Sequence, residues 1–514
     1  MPPALKGGER ENKPFKKHKQ IMLLLGIDLG TSSVKVSVVD AATQQCVASA
    51  QYPETEAEII SKQPGWAEQS PDEWWNEVKQ AIKKVNSTGA YNPNDIRAIG
   101  IAYQMHGLVM LDKAGKVLRN SIIWCDSRAV PYGQTAFHNI GEEKCLVNLL
   151  NSPGNFTAAK LAWVKENEPG IFERIDKIML PGDFIAARLT GNITTTPSAL
   201  SEGIFWDFKK DSISQDVLNQ FGFDKNIIPE VKDVFAEHGL LSEDAATELS
   251  LKKDIPVTYK SGDQPNNALS LNVLQPGEVA ATAGTSGVIY GVSDQLTYDQ
   301  QSRVNSFAHV THDAAHTRVG VLLCINGTGI LNKWVRNITG GTLSYPQINQ
   351  QAASVPIGSD GLLVLPFGNG AERILNNRMI GAHILNIDFN KHTNGHLYRA
   401  AQEGIAFAFC YGLDIMRQNG MTPKVIRAGK ANMFLSNVFT EAFVNATGVP
   451  VELYESDGSI GAALGAGIGA GFFKSPSDAF NHREVLQVVQ PTQLDVYDII
   501  YRRWKEALEK QLID

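Results

Sequence analysis

Cysteine is scarce in this sequence, and its spacing excludes two kinds of site. The 514 residues contain five cysteines, and no two of them are spaced as C-x-x-C. Cysteines scattered in this way predict neither a disulfide framework nor a tetrahedral zinc site, and they are typical of reduced thiols. We therefore expect a cytoplasmic location.

Long hydrophobic runs and a strong excess of one charge are also lacking. No run reaches the roughly 20 apolar residues of a membrane span, and the Gly- and Ala-rich segment 460–473 is too short. The net charge of -7 argues against nucleic acid or an anionic membrane as a partner. With 43% hydrophobic and 20% charged residues, the composition is that of a globular protein.

The length of the chain predicts more than one hydrophobic core, and therefore at least two domains. Residues 1–21 are rich in Lys and Arg and poor in apolar residues, which predicts a disordered basic leader. We place the N-terminal domain at 22–255 and the C-terminal domain at 256–514. The reason is that the charged, weakly patterned stretch 207–255 precedes a new strand pattern at Pro256.

Strand patterns alternate with helical patterns along both domains, which indicates an α/β fold. A helix is predicted after Ser70, which can form a capping box with Glu73. Near the end of the chain, Gly458, Ala462 and Ala466 recur every four residues. This spacing predicts a helix that packs closely against a neighbour.

The motif Gly-Thr-Ser occurs twice, each time between two strand patterns. The first copy is Gly30-Thr31-Ser32, and the second is Gly284-Thr285-Ser286. Such a hairpin can direct backbone N–H groups and hydroxyls towards an anion, and its glycine lets the anion approach closely. One hairpin in each half predicts a duplicated fold that binds a polyphosphate between its halves.

Two aspartates lie in strand patterns beside these motifs. Asp28 could face a hydrated Mg²⁺ that separates it from a polyphosphate, or it could bind its own backbone in a turn, and we favour the first interpretation. Asp263 ends a strand pattern in Ser-Gly-Asp-Gln-Pro-Asn-Asn. It is explained equally well as the base that takes a proton from an alcohol and as a helix N-cap.

Three further segments place polar groups at predicted strand ends. Gln104-Met105-His106-Gly107 could bind a polyol, although an ordinary loop explains this segment better when it is taken alone. The segment 124–128, Trp-Cys-Asp-Ser-Arg, has the side chains of a carbohydrate site and also those of a surface ion pair. The segment 427–432 joins a strand to a helix, where either a nucleotide or a plain turn is equally expected.

These segments, in this order, resemble those of the FGGY carbohydrate kinases, and most closely those of the xylulokinases. The Gln-Met-His-Gly element favours xylulokinases, because glycerol kinases carry an arginine-containing loop there. The resemblance covers residues 22–500, and it rests on the stretches 26–32, 65–69, 104–107, 157–163, 180–183, 262–263 and 284–287.

The resemblance implies a two-domain α/β fold of the ribonuclease-H-like, actin-like kind, with the active site in the cleft between the domains. It implies transfer of the γ-phosphate of ATP, with Mg²⁺, to the terminal hydroxyl of D-xylulose, which gives D-xylulose 5-phosphate in xylose catabolism. The partners expected are therefore a sugar and ATP, with no nucleic acid and no membrane. A homodimer is compatible with this interpretation.

The resemblance also implies roles for individual residues. Asp263 would accept the proton of the sugar hydroxyl and Asp28 would lie near the phosphates, and both would hold Mg²⁺ partly through water. The residues expected to bind the sugar are Gln104, Met105, His106, Asp263 and Gln264. Those expected to bind the nucleotide are Gly30, Thr31, Ser32, Gly284, Thr285, Ser286, Gly429 and Asn432.

Three stretches depart from the family pattern. Ala428 and Lys430 flank Gly429 where a triple glycine is usual, and Gln264-Pro265 follows Asp263 where Asn is frequent. Residues 370–374 read Gly-Ala-Glu-Arg-Ile in place of Gly-Glu-Arg-Thr-Pro. These departures leave other ketoses or polyols open as substrates, such as ribulose, fuculose or sedoheptulose.

Two other functional classes compete with a kinase. The first is a non-catalytic protein that responds to a sugar or a nucleotide, and the presence of both Asp28 and Asp263 argues against it. The second is a chaperone-like or filament-forming ATPase of the actin fold, and the lack of a recognisable peptide-binding segment argues against that class.

Overall fold

The computed structural model describes residues 22–513, and the predicted basic leader lies outside them. Two large mixed β-sheets, one in each half of the chain, form the framework of the fold. In the N-terminal sheet the strands lie in the order Gly239–Leu240, Pro256–Gly262, Ile96–Tyr103, Leu23–Leu29, Val34–Asp40 and Cys46–Tyr52. In the C-terminal sheet the order is Asn305–Ala308, Val319–Ile325, Gly287–Ser293, Glu278–Ala283, Val425–Gly429, Val451–Tyr454 and Val485–Val489.

Both sheets are built to one plan. In each, the first strand in the chain pairs antiparallel with the second strand through a Gly-Thr-Ser turn. On its other side the same first strand pairs parallel with a later strand, Ile96–Tyr103 in one half and Val425–Gly429 in the other. A further parallel strand follows, Pro256–Gly262 or Val451–Tyr454. The predicted duplication and the predicted α/β fold are therefore confirmed.

Helices cover both sheets, and those of the described residues fall within the length expected for a globular α/β protein. Among residues 22–513, no helix is long and apolar enough to cross a membrane. The α-helices span Pro71–Asn86, Val130–Ile140, Glu142–Leu149, Thr157–Asn167, Pro169–Phe172, Pro181–Thr190, Pro197–Glu202, Gln215–Phe221, Glu243–Leu249, Asp263–Ser270, Gly329–Ile338, Tyr345–Ala353, Asn394–Gln418, Asn437–Thr447, Gly458–Gly469 and Leu494–Ile513.

The helix Pro71–Asn86 begins as its sequence predicts. The hydroxyl of Ser70 accepts a hydrogen bond from the backbone N–H of Glu73 at 3.3 Å. Its apolar side chains face the N-terminal sheet, and Val78 and Ile82 are fully buried there. The capping bond fixes where this helix begins, and its apolar stripe fixes the face that packs on the sheet.

The strand Pro256–Gly262 belongs to the N-terminal sheet, where it pairs parallel with Ile96–Tyr103. The sequence-based division at 255/256 placed this strand at the start of the C-terminal domain. Hydrogen bonding keeps it with the first half, because its partner Ile96–Tyr103 is a strand of the N-terminal sheet. We therefore propose that the change of half falls between Ser270 and Glu278, where one helix ends and the first strand of the C-terminal sheet begins.

The small-residue helix Gly458–Gly469 packs against the N-terminal sheet at backbone distance. A Cβ atom on Gly26 would lie 1.8 Å from the carbonyl oxygen of Ser459, and one on Gly100 would lie 2.0 Å from that of Ala462. Only glycine allows this approach. The predicted close packing is confirmed, and it brings the beginning of the helix to the end of the strand Leu23–Leu29.

Candidate active site

The first Gly-Thr-Ser hairpin presents its turn at the edge of the N-terminal sheet. Its turn is closed by a hydrogen bond from the N–H of Gly30 to the carbonyl of Ser33 at 3.1 Å. Ser32 is exposed, whereas Gly30 and Thr31 are half-buried. Ser32 is therefore the most exposed residue of the turn, and the role of the turn in ligand binding stays a prediction.

A chain of polar side chains holds this hairpin against the neighbouring strand. The indole N–H of Trp124 donates to the hydroxyl of Thr31 at 2.9 Å, and that hydroxyl donates to the amide oxygen of Gln104 at 3.2 Å. The amide N–H of Gln104 in turn donates to Gln69 at 2.9 Å. Gln104 is 2% exposed. Both the oxygen and the nitrogen of the Gln104 amide are therefore used in hydrogen bonds that hold the hairpin.

Asp263 is the first residue of the helix Asp263–Ser270, and it follows the strand end that pairs with Tyr103. The N-cap is Gly262, and no side chain caps this helix, so the N-cap explanation of Asp263 does not apply. Burial raises the pKa of the Asp263 carboxyl to about 6, and the N–H of Gln264 opposes that rise. The carboxylate is therefore placed beside the segment 104–107, in a form able to accept a proton above about pH 6.

Met105 and His106 lie directly beside this strand end. A Cβ on Gly262 would lie 2.6 Å from Cγ of Met105, so the residue before Asp263 touches the methionine. The imidazole of His106 packs edge-on against Phe156, with ring centroids 4.8 Å apart, and against Phe307 at 5.4 Å. Because Phe307 belongs to the C-terminal sheet, His106 lies where the two halves meet.

Asp28 lies at the end of the strand Leu23–Leu29, against the small-residue helix. A Cβ on Gly458 of this helix would be 2.2 Å from Oδ2 of Asp28. Burial raises the pKa of the Asp28 carboxyl to about 7, and the charges of Asp263 and Asp457 add to the rise, whereas Lys35 opposes it. Within the described residues, no hydrogen bond from its own turn reaches the Asp28 carboxyl, so the turn explanation is not supported.

The carboxylates of this region suit a magnesium ion that arrives with a polyphosphate. Within residues 22–513, no group of three or more His, Cys, Asp or Glu side chains is close enough to hold a metal ion alone. Mg²⁺ is commonly held by one or two carboxylates together with water and substrate phosphates. Asp28 and Asp263 offer that arrangement, because they are near enough for the charge of Asp263 to raise the pKa of Asp28.

The second Gly-Thr-Ser hairpin opens into a cavity of about 780 Å³ in the C-terminal half. The N–H of Gly329 donates to the carbonyl of Gly284 at 2.9 Å, which sets the hairpin against the start of the helix Gly329–Ile338. Gly284, Thr285 and Asn432 all line the cavity. Ile330, Pro346, Met433, Leu435 and Val438 add apolar lining that a planar base could contact.

Gly429 and Ser286 do not line this cavity, whereas their neighbours Asn432 and Thr285 do. Gly429 ends the strand Val425–Gly429, where a Cβ would lie 3.1 Å from Ser456, and it does not line the cavity. Ser286 is exposed at the tip of the turn. Ala428, the departure from a triple glycine, is fully buried in the strand, so its methyl group packs in the core.

The segment 124–128 contributes an ion pair to the core. Arg128 bonds Asp126 at 2.7 Å and Glu68 at 2.7 Å, and its guanidinium lies 3.8 Å from the centre of the Trp66 ring. Asp126 and Arg128 are both buried. The segment therefore forms an ion pair, and its predicted place at the surface is wrong because Asp126 and Arg128 are buried.

Sequence reasoning missed two polar residues beside His106. The ammonium of Lys160 donates to the carbonyl of His106 at 2.7 Å, and burial lowers the pKa of Lys160 to about 7. Oε2 of Glu202 accepts the N–H of His106 at 3.2 Å. Lys160 lies within the stretch 157–163 that carries the resemblance, but no local pattern around Glu202 indicates a site.

Comparisons with known proteins identify the family of the chain. The sequence model of the FGGY family of carbohydrate kinases, N-terminal domain, matches residues 23–270, and that of the C-terminal domain matches residues 279–471. A xylulose kinase from Bacillus subtilis is 29% identical over 497 residues, which is 94% of this chain and 97% of the relative.

Solved structures show the same architecture. A "xyloylose kinase" from Brucella ovis superposes with a TM-score of 0.87 at 26% identity, over 96% of this chain and 100% of that chain. A gluconate kinase from Lactobacillus acidophilus has a TM-score of 0.86 at 21% identity, over 96% and 98% of the two chains. The second likeness concerns the fold alone.

Proposed function

Because the chain belongs to the FGGY family of carbohydrate kinases, we propose that it transfers the γ-phosphate of ATP to the terminal hydroxyl of D-xylulose. The fold is the two-domain, actin-like fold of that family, and the protein is a phosphotransferase with an alcohol group as acceptor. The names of the relatives support xylulose, since those from Bacillus subtilis, Haemophilus influenzae and Escherichia coli are all xylulose kinases.

One observation carries the proposal: a half-buried aspartate, Asp263, stands at a strand end beside Met105 and His106, at the junction of the two halves. Asp263 is free of any capping role, and burial keeps its pKa close to the value that suits a base near neutral pH. Proton transfer by a positioned carboxylate typically contributes about 10²–10⁴-fold in rate.

The sugar side of this proposal consists of Met105, His106 and Gln264. Oε1 of Gln264 is buried and has no hydrogen-bond partner among the described residues. A buried acceptor left unpaired costs free energy, so a substrate hydroxyl that donates to it would be bound favourably. We propose that Gln104 supports the sugar site indirectly, because its amide is already bonded to Thr31 in the first hairpin.

The nucleotide side consists of the two hairpins and the cavity beside Asn432. We propose that Gly30, Thr31 and Ser32 contact phosphate, and that Gly284 and Thr285 do so from the opposite half. Ser286 and Gly429 do not line the cavity, and we propose that they contact the nucleotide less closely than these residues do. Mg²⁺, held by Asp28 and Asp263 partly through water, would neutralise charge on the phosphates.

In the proposed reaction, Asp263 accepts the proton of the sugar hydroxyl as its oxygen bonds to the γ-phosphorus. The bond between that phosphorus and the β,γ-bridging oxygen breaks, and ADP leaves. Closure of the halves around both substrates would exclude water and so limit ATP hydrolysis. The free cysteines support a cytoplasmic location, which we also propose.

The test is ADP release by the purified protein with Mg-ATP and a panel of acceptors. The panel comprises D-xylulose, D-ribulose, L-ribulose, L-fuculose, sedoheptulose, D-gluconate and glycerol, each over a range of concentrations. We expect the highest kcat/KM with D-xylulose. A higher value for another acceptor would overturn the substrate and keep the reaction. ADP release that no acceptor stimulates, from folded protein that binds ATP, would overturn the kinase function.

A further inference from the structure

Glu202 is a buried carboxyl group in the sugar site to which the proposed reaction gives no role. It is the last residue of the helix Pro197–Glu202 and is 1% exposed. Its Oε1 bonds the hydroxyl of Tyr103 at 2.8 Å, and its Oε2 accepts the N–H of His106 at 3.2 Å. A carboxyl group is costly to bury, so its place here calls for a specific partner.

That partner is His106, whose backbone has an unfavourable conformation. Its φ angle is +63°, in the left-handed region that residues other than glycine seldom occupy. Two side chains hold it there: Oε2 of Glu202 binds its N–H, and Lys160 binds its carbonyl at 2.7 Å. Of these two residues, only Glu202 also contacts the imidazole.

The contact with the ring determines which nitrogen carries the proton. The backbone carbonyl oxygen of Glu202 lies 3.0 Å from Nδ1 of His106. A carbonyl oxygen only accepts hydrogen bonds, so Nδ1 must be the protonated nitrogen. Burial lowers the pKa of His106 to about 3, and the ring is therefore neutral, with a lone pair on Nε2. Such a ring can accept a hydrogen bond from a hydroxyl.

We propose that Glu202 is a positioning residue for sugar binding, which holds His106 in its left-handed conformation so that Nε2 accepts a hydroxyl of the acceptor substrate. The proposal rests on the proposed kinase function. Glu202 also borders the strand end that bears the base: a Cβ on Gly262 would lie 3.4 Å from its Oε1. It thereby links the position of His106 to that of Asp263.

The hydrogen bonds of the Glu202 carboxyl determine which variant is conservative. Burial raises its pKa well above the usual value, and the nearby Asp263 and Asp183 carboxylates add to the rise. Its Oε2 accepts the N–H of His106, and its Oε1 accepts the hydroxyl of Tyr103. A glutamine with its oxygen towards His106 keeps the first of these bonds, and its NH₂ can donate to the oxygen of Tyr103, so Glu202→Gln should keep the function of this residue.

The kinetic experiment compares four variants on the preferred acceptor. We expect Glu202→Ala and Glu202→Asp to raise the KM for the sugar about tenfold, since each loses the bond to His106, with the KM for ATP unchanged. Glu202→Gln should stay within about threefold of the wild type. Tyr103→Phe is the matched control, because it removes the other bond of the carboxyl and leaves His106 alone.

A second measurement separates this proposal from the kinase function. The ring ¹⁵N shifts of His106, assigned by comparison with His106→Asn, should show protonated Nδ1 in the substrate-free wild type and in Glu202→Gln. Glu202→Asp and Glu202→Ala keep the backbone carbonyl but release the N–H of His106, so the ring should move away from that carbonyl and show a mixture of tautomers. An unchanged tautomer together with unchanged sugar KM in both variants would overturn the proposal. A changed tautomer in a protein that phosphorylates no sugar would overturn only the kinase function.

Discussion

Burial sets the charge of the two cleft aspartates. It raises the pKa of Asp263 to about 6 and that of Asp28 to about 7, and for Asp28 the charges of Asp263 and Asp457 add to the rise. Opposing charge lowers a carboxyl pKa, so phosphate-bound Mg²⁺ would favour the ionised form of both groups. Without Mg²⁺, each aspartate would therefore change its charge near neutral pH.

The first prediction concerns pH. A base acts only when it is deprotonated, and a raised pKa means that Asp263 loses its charge as the pH falls through about 6. We expect kcat/KM for the sugar at saturating Mg-ATP to be roughly constant from pH 7 to 8 and to fall in acid, with a midpoint at about pH 6 or lower because bound Mg²⁺ lowers the pKa of Asp263. Nucleotide affinity measured over the same range is the control. A profile that stays flat down to about pH 4, the ordinary pKa of an aspartate, would contradict the assignment of Asp263 as the base.

A site residue can be recognised in the sequence when it directly follows a clear strand pattern. Met105, His106 and Asp263 each follow a well-patterned buried strand, so their positions at a shared sheet edge can be predicted. Glu202 ends a short helix without a strong pattern, and its contact with His106 arises only when that helix packs against the strand Asn305–Ala308. Tertiary packing of this kind has no local signal, and the same holds for the network that engages Gln104.

At the scale of elements, glycine contacts fix the helix Gly458–Gly469 on the N-terminal sheet. Gly26 and Gly100 lie under its backbone, and the hydroxyls of Ser37 and Ser459 bond at 2.7 Å beside them. The amide of Asn266 also donates to the carbonyl of Gly458 at 2.9 Å, next to Asp28. This helix therefore connects the helix that begins at Asp263 to the strand that ends beside Asp28.

The second prediction tests that packing. Gly100→Ala would place a Cβ 2.0 Å from a backbone carbonyl, which cannot move without shifting the helix. We expect a loss of about 1–3 kcal/mol in the free energy of unfolding. Gly170→Ala is the matched control, because an added methyl group there would meet no atom within 4 Å and the φ of Gly170 is not positive. Chemical denaturation measures both, and equal midpoints would contradict the close contact.

The hydrophobic patterns of the strands and helices are clear enough to predict both hairpins and the helix Pro71–Asn86. They do not predict where the boundary between the two halves lies. Both Gly-Thr-Ser turns have alternating or buried strands on each side, which determine register locally. The strand Pro256–Gly262 is equally clear as a strand. Its sheet is determined by a partner about 160 residues earlier in the chain, and sequence pattern does not record such pairing.

At the scale of the whole molecule, side chains of the first half bind the edge of the C-terminal sheet. Asn151 bonds both backbone groups of Ser306, at 2.5 Å and 2.9 Å. Ser198 donates to the carbonyl of Ala308, and Ser201 accepts its N–H, each at 2.9 Å. These four bonds satisfy the strand edge that would otherwise be unpaired. They also hold Phe307 of that strand against His106.

The third prediction concerns this junction. Asn151→Ala would leave the N–H and carbonyl of Ser306 buried without partners, a cost of about 1–3 kcal/mol. We expect a lower unfolding temperature and a sugar KM raised several-fold, because Phe307 supports His106, with a smaller effect on the KM for ATP. Asn337→Ala, on an exposed helix position, is the control. An unchanged sugar KM would separate the junction from the sugar site.

The most direct test of the central claim is phosphoryl transfer by Asp263→Asn, measured beside the wild type. Asparagine keeps the size of the side chain and cannot accept the proton. We predict that D-xylulose-dependent ADP release falls by at least about 10²-fold while ATP still binds with near wild-type affinity. Turnover above about a tenth of the wild type, in a variant confirmed to be folded, would contradict the assignment of Asp263 as the base that activates the sugar hydroxyl.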